Sequence, residues 1–298
     1  MSIFSTIGLL GRVYNDQTRC TAERLIDFLT RRGVDFIVLE AMATMLQRPD
    51  LRQADEEAIG QSCDLAIVIG GDGSMLGAGR AMVFHQVPVL GVNRGRLGFL
   101  TDIMPDEIEK KVAEVLDGQY IRESRFLLDT VIARNDQHNK VGSALNDVVL
   151  HPGRYIRMIE FELYIDGQFV YSQSSDGLIV STPTGSTAYA LSGGGPLMHP
   201  SLNAIVLVPL NPHTLSSRPI VVSGDSQIRL VIGEMTTTVN VTFDGQVSEL
   251  VRPGEEILIT KKPSKLELIH PTNHNYYETC RTKLGWSQHL ITGKPRKR

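Results

Sequence analysis

Hydrophobic and polar positions change rhythm once along this chain. Up to about residue 120, short apolar runs alternate with segments of helical period. Ile3 to Leu10 reads as a strand, and Leu25, Ile26, Phe28 and Leu29 within Thr21 to Arg32 fall at helical spacing. Val34 to Leu39, Leu65 to Ile69 and Val87 to Val92 read as further strands. Pro105 to Leu116 opens with a proline and two acids, as helices do. Alternation of this kind predicts parallel strands with crossover helices, an α/β domain over residues 1–120. Beyond it strand-like runs dominate: Leu127 to Ala133, Met158 to Ile165, Gly177 to Ser181, Ile228 to Ile232, Thr238 to Phe243 and Glu256 to Thr260. Asp166-Gly167 lies where a hairpin turn is needed. The expectation is a mainly antiparallel β domain over residues 121–270, with a short helix in 271–298 that packs back on the first domain.

Composition narrows the class. The 298 residues are 42% hydrophobic and 21% charged, enough apolar material for a real core and a length suited to two domains. A net charge of −3 gives no support to a nucleic-acid binder held by bulk positive charge. No run approaches the roughly 18 apolar residues that a membrane span requires. The first basic residue, Arg12, follows the apolar start rather than preceding it, unlike a signal peptide, so a cytoplasmic location is expected. Cys20, Cys63 and Cys280 form no CxxC pair and read as idle thiols in a reducing compartment. The basic tail Lys294 to Arg298 reads as a solvated terminus.

Glycine, at 27 residues, is clustered, and the clusters carry the chemistry. Leu65 to Ile69 runs straight into Gly70-Gly71-Asp72-Gly73-Ser74, and a helical pattern follows. Glycines before a helix start let backbone amides approach phosphate, and the helix dipole favours the anion. Such loops sit at the carboxyl ends of strands in open, Rossmann-like sheets. The GxGxxG and Walker A spacings fail, because Leu76 and Gly77 stand where they need Gly and Gly-Lys. An acid inside a phosphate loop repels its ligand unless it holds a metal ion or takes a proton from an attacking hydroxyl. The plainer alternative is an Asp that caps the helix.

A second cluster, Ser175 to Pro196, is a strand, a Thr/Gly/Ser turn, a short helix and three glycines. Its hydroxyls and backbone N–H groups suit a ribose or a base edge, and Tyr189 can stack on a planar ring. A glycine-rich connection with a good cap is the alternative. In Leu145 to Leu150, Asn146 and Asp147 interrupt an apolar run, as a pair for ribose hydroxyls or as two solvated residues on a strand edge.

These three segments together resemble the NAD kinase family, in its bacterial branch. The likeness runs from the Gly-Gly-Asp-Gly loop to Lys283-Leu284-Gly285-Trp286. Related loops occur in diacylglycerol and sphingosine kinases and in phosphofructokinases, and the Thr-Pro-Thr-Gly-Ser-Thr-Ala-Tyr segment adds the specificity. The resemblance implies phosphorylation of the 2′-hydroxyl of the adenosine ribose of NAD by ATP, with Mg²⁺ or another divalent metal, giving NADP and ADP. It implies Asp72 as proton acceptor, with Gly73 beside it at the phosphates. It places Asn146 and Asp147 on the dinucleotide, Asp176 on the nicotinamide half, and Thr187, Ala188, Tyr189, Ala190, Leu191 and Ser192 around the adenosine portion. Arg157 and Gln246 fall at further ligand positions, and the implied assembly is a homodimer or homotetramer. The family commonly has Asn-Glu where this chain has Asn146-Asp147, and close relatives often carry a basic residue where it has Ser174. The latter bears on the choice between NAD and NADH. The alternatives are a lipid kinase on the same loop and a non-catalytic dinucleotide sensor.

Overall fold

A computed structural model of the chain describes residues 2–11, 16–95, 98–134, 137–153, 157–214, 216–234 and 238–286. In chain order the elements are β1 (Thr6–Gly11), α1 (Asp16–Arg32), β2 (Asp35–Leu39), α2 (Glu40–Leu46), β3 (Gln53–Ala54), α3 (Glu56–Ser62), β4 (Leu65–Ile69), α4 (Asp72–Met82), β5 (Val89–Val92) and α5 (Ile108–Leu116). There follow β6 (Tyr120–Arg134), β7 (Gln137–Ala144), β8 (Asp147–His151), β9 (Ile159–Ile165), β10 (Gln168–Ser175), β11 (Gly177–Ser181), α6 (Tyr189–Ser192), β12 (Ala204–Leu210) and β13 (Ile220–Ser223). The series closes with β14 (Ile228–Ile232), β15 (Val239–Phe243), β16 (Val247–Val251), β17 (Glu256–Pro271) and α7 (Tyr276–Leu284). The chain divides into two compact units, Met1–Glu123 with Leu268–Arg298, and Ser124–Glu267.

The first unit is a parallel sheet in the order β17-β5-β4-β1-β2-β3. Every residue of β4 is buried, as a central strand covered on both faces requires. Helix α1 buries Thr18, Thr21, Ala22, Leu25, Ile26 and Leu29, one stripe at intervals of three and four. From β1 the chain winds outward to β3 and then returns to place β4 on the other side of β1. That reversal is a topological switch point, where ligands bind beyond the strand ends. Gly11 at the end of β1 pairs with Ile69 at the end of β4, so the Gly-Gly-Asp loop leaves the sheet there.

The second unit is antiparallel. One sheet runs β13-β12-β11-β8-β15-β16; β10-β9-β14-β17 and the β6–β7 pair supply the other strands. Inward side chains such as Phe161, Phe243, Leu150 and Ile205 form its core. Asp166 and Gly167, with φ of 51° and 77°, close the β9–β10 hairpin in the left-handed region that an Asp-Gly turn tolerates.

The α/β first part and the antiparallel second part stand as the apolar rhythm predicts. Local differences have simple causes. The first strand begins at Thr6 rather than Ile3, and α5 at Ile108 rather than Pro105, because residues 105–107 form a turn. Helices α2 and α3 have seven residues each, too short to impose a period on the sequence. The tail 294–298 lies outside the described residues.

Replacing Ile67, which is fully buried in β4, with alanine should lower unfolding stability by about 2–5 kcal/mol through cavity formation, read as a shift in urea midpoint at constant m-value.

Candidate active site

In the first unit, the chemistry gathers at the start of α4. Gly71 is its N-cap, and no side chain caps it. The Asp72 carboxylate turns elsewhere: Oδ2 accepts the Phe99 N–H and Oδ1 the Leu100 N–H, each at 3.0 Å. The capping alternative is thereby replaced. Gly98 shows how close this approach is, for a Cβ there would lie 2.1 Å from Asp72 Oδ1. Two amides fix the direction of the carboxylate and use part of its accepting capacity. A carboxylate offers about four lone-pair sites, so others remain for a substrate proton or a cation. Gly73, beside it, is exposed in the first turn of the helix.

In the second unit, the strand ends meet a tight turn. Asp244 and Gly245, with φ of 52° and 63°, link β15 to β16, and Gln246 N–H donates back to the Phe243 carbonyl. From this turn the Asp244 carboxylate reaches the segment that enters β8. It accepts the N–H of Leu145 at 3.1 Å, of Asn146 at 2.7 Å and of Asp147 at 3.2 Å. The Thr/Gly/Ser turn is tied to the same segment. Thr182 N–H and Ser181 Oγ donate to the Asn146 carbonyl at 2.9 and 3.1 Å, and Thr182 Oγ1 to that of Leu145 at 2.6 Å. Gly185 packs flat against this carbonyl, where a Cβ would meet the Asn146 oxygen at 2.3 Å.

These ties shape one cavity of about 670 Å³, within the usual range for small-molecule sites. Asn146, Asp147, Arg157, Asp176, Ala188 and Tyr189 all line it. His151, Asn211, Thr242 and Asp244 line it as well, and the sequence reading had passed over them. Asp-Gly after a strand was a legible signal for the Asp244 turn, whereas nothing local marks His151 or Thr242. Asn211 Nδ2 donates to Asp176 Oδ2 at 2.8 Å and holds it at the rim.

Other expected residues stand apart from the cavity lining. Ala190 is fully buried, its methyl packed with Val149, Ile179 and Val206, so its side chain is core rather than ligand surface. Thr187, Leu191 and Ser192 flank Ala188 and Tyr189 on the turn and on α6, and Gln246 is exposed beside Gly245. Ser174 lines a separate cleft of about 430 Å³ with His213 and Arg218.

Electrostatics single out Asp147. Burial, and then the nearby Asp244 charge, push its carboxyl up to about 7. Asp147 is therefore protonated in mildly acidic solution, where it donates a hydrogen bond as well as accepting one, and ionises near neutrality.

Comparison with known proteins fits this geometry. Residues 7–120 match the ATP-NAD kinase N-terminal domain, and residues 145–271 the ATP-NAD kinase C-terminal domain. The chain belongs to the NAD kinase family. It is 57% identical over 291 residues to the NAD kinase of Teredinibacter turnerae, covering 97% of this chain and 99% of that one. It is 58% identical over 297 residues to the NAD kinase of Cellvibrio japonicus, covering 98% and 99%. Among solved structures, the yeast NADH kinase complexed with NADH superposes with a TM-score of 0.88 at 27% identity, covering 97% of this chain and 90% of that one. An Archaeoglobus fulgidus NAD kinase in complex with ATP gives 0.73 at 25% identity, covering 94% and 97%. No helix among the described residues is long and apolar enough to cross a membrane.

The raised Asp147 sets a sign for stability. A carboxyl whose folded value lies above its unfolded value of about 3.9 binds extra protons in the native state, so stability falls as pH rises through that window. The ligand-free protein should lose melting temperature between about pH 4 and pH 7, and Asp147→Asn should flatten that decline in a thermal melt.

Proposed function

We propose that the chain transfers the γ-phosphoryl group of ATP to the 2′-hydroxyl of the adenosine ribose of NAD, with Asp72 as general base. The observation that carries this is the Asp72 carboxylate, aimed by two backbone amides at the mouth of a glycine-rich strand-to-helix loop. In the step, the ribose O2′–Pγ bond forms as the Pγ bond to the bridging oxygen of ADP breaks. The hydroxyl proton passes to Asp72. Proton removal from such a weak nucleophile is worth roughly 10²–10⁴-fold. Alignment and charge stabilisation supply the rest. The N-terminal end of α4, which begins at Asp72 with Gly71 as its N-cap and no side-chain cap, favours an anionic phosphate.

The dinucleotide belongs to the second-unit cavity in this reading. Asn146 and Asp147 receive ribose hydroxyls, Asp176 the nicotinamide half, and Tyr189 a planar ring. Arg157 and Gln246 make further contacts, while Thr187, Leu191, Ser192 and the backbone at Ala190 border the adenosine portion. Asp147 has one methylene less than the common Glu, and its burial and its tie to Asp244 hold it in place. Ser174, where close relatives often carry a basic residue, bears on the choice between NAD and NADH.

Mg²⁺, or another divalent ion, supplies charge neutralisation for the transferring phosphates. Such an ion takes one or two protein carboxylates besides phosphate and water, and the free lone pairs of Asp72 fit that demand. Self-association as a dimer or tetramer completes the proposal, in keeping with exposed apolar side chains on the second unit such as Phe169 and Val221. Neither the lipid-kinase nor the sensor alternative has an observation in its favour.

NADP formation from NAD, ATP and Mg²⁺, followed by chromatography, tests the reading. Asp72→Asn should lower kcat by two or more orders of magnitude with fold intact. Near-normal turnover in that variant would remove Asp72 from the role of base. Tyr189→Ala should raise KM for NAD by about tenfold and lower kcat much less, and an unchanged KM would exclude stacking.

A further inference from the structure

A buried ionic cluster lies just beyond the amides that hold Asp72. His270, on β17, is 1% exposed. Its Nδ1 hydrogen-bonds Asp102 Oδ2, and its Nε2 lies 3.3 Å from Glu123 Oε2. Four residues on, the His274 ring stacks on it with centroids 4.0 Å apart, and its Nδ1 sits 2.9 Å from Asp102 Oδ1. Each oxygen of Asp102 thus takes one imidazole. The ligand-type atoms of Asp102, His270 and His274 lie within 4.8 Å of one another. Their nitrogen–oxygen contacts are direct hydrogen bonds, closer than the roughly 3.4 Å between two ligands of a tetrahedral zinc implied by bonds of about 2.1 Å. The cluster is built around shared protons.

Its place in the chain gives it a purpose. Phe99 and Leu100 donate their N–H groups to Asp72. Thr101 is fully buried, and its Oγ1 accepts Asn93 Nδ2–H at 2.8 Å. Asp102 comes next, then Ile103, which bridges to Val92 and accepts the Asn93 N–H at 2.8 Å. Every residue from 99 to 103 is therefore anchored, and Asp102 carries the one ionic anchor. Buried ion pairs seldom stabilise more than a well-packed apolar pair would, so stability alone is a weak reason for this one.

We propose that His270 and His274 hold Asp102 as a positioning clamp, keeping the Phe99–Leu100 amides where they aim the Asp72 carboxylate. This rests on the reading of Asp72 as the base. The clamp is sensitive to pH in a defined direction. Burial opposes charge on His270, but the hydrogen bond to Asp102 and the nearby Glu123 carboxylate outweigh it and raise its pKa above the ordinary imidazole value. Burial also opposes charge on Asp102, and the two histidines outweigh it, holding the carboxyl well below the usual carboxylate range. The Asp102 contribution is present above about pH 4 and is lost only in strong acid. That of His270 is complete below about pH 6.5 and is lost as pH rises through its raised value. The groups facing His270 are Asp102, Glu123 and His274; Glu107 and Lys111 from α5 and Glu278 from α7 line the cleft beside Asp102 and His274.

The test uses the full chain, with kcat and KM measured from pH 6 to pH 10 for wild type, Asp102→Ala, Asp102→Asn, His270→Gln and Asp72→Asn, and for Asp72→Asn combined with Asp102→Ala. Asp102→Ala should lower kcat about tenfold or more and leave both KM values within about twofold. His270→Gln keeps a donor toward Asp102 without titrating. It should hold kcat near the level that the wild type reaches above the raised His270 value, with no alkaline fall-off of its own from this position. In the Asp72→Asn background, Asp102→Ala should cost less than about twofold more, because the clamp acts through Asp72. Folded Asp102 variants with normal kcat, an unchanged alkaline limb in His270→Gln, or full multiplication of the two losses would each overturn the clamp. Should Asp102→Ala fail to fold, Asp102→Asn and His270→Gln decide the matter by the same readouts. Normal turnover in Asp72→Asn would instead overturn the base itself, which separates the two failures.

Discussion

The Asp72 carboxylate accepts two consecutive backbone amides, and on this contact the arrangement of the first unit's candidate site depends. It joins the loop after β4 to the loop after β5, two segments that neighbouring parallel strands deliver to one edge of the sheet. Parallel pairing puts both loops at carboxyl ends, and the reversal of strand order beside β1 opens room between them. Without that pairing, a glycine-rich turn would be a flexible connection. With it, an acid stands in a fixed direction among amides that favour anions. The absence of a Cβ at Gly98 permits the contact, and the fully buried β4 behind it provides a rigid base.

The second unit solves a similar problem by the same means. Asp244, in a left-handed turn, takes three successive amides and so organises the segment that presents Asn146 and Asp147. Carboxylates are efficient for this work because one group satisfies several N–H donors that would otherwise be orphaned at a strand end. The arrangement has an electrostatic consequence. Burial first, and then the fixed Asp244 charge, shift the Asp147 carboxyl toward neutrality. A polar ligand that replaces the lost water offsets the cost of that burial.

Family membership and physical reading support each other without being the same argument. Similarity along nearly the whole chain assigns the family. In the proposed reaction, an acid inside the glycine loop takes the proton that an alcohol acceptor must lose. Geometry also bears on the departures from the family pattern. The shorter acid at 147 has its backbone N–H fixed by Asp244, and an uncharged Ser174 lies in a cleft apart from the main cavity.

The change from parallel to antiparallel architecture near residue 120 is legible along the chain, because apolar periods of two and of three to four are written locally. The sequence also marked Asp72, Asn146, Asp147, Asp176 and Tyr189, since glycine loops and polar breaks in apolar runs are local signals. Short helices such as α2 and α3 escaped it, having too few turns to show a period. Tertiary packing alone makes Ala190 core while Ala188 lines a cavity, since two residues along a helical segment turn a side chain to the opposite face. Only it brought Asp244 to Asn146, nearly one hundred positions away, and His270 and His274 to Asp102 across 168 and 172 positions. Contacts of that sequence separation depend on strand order and register, and no local pattern encodes which strand will lie beside which.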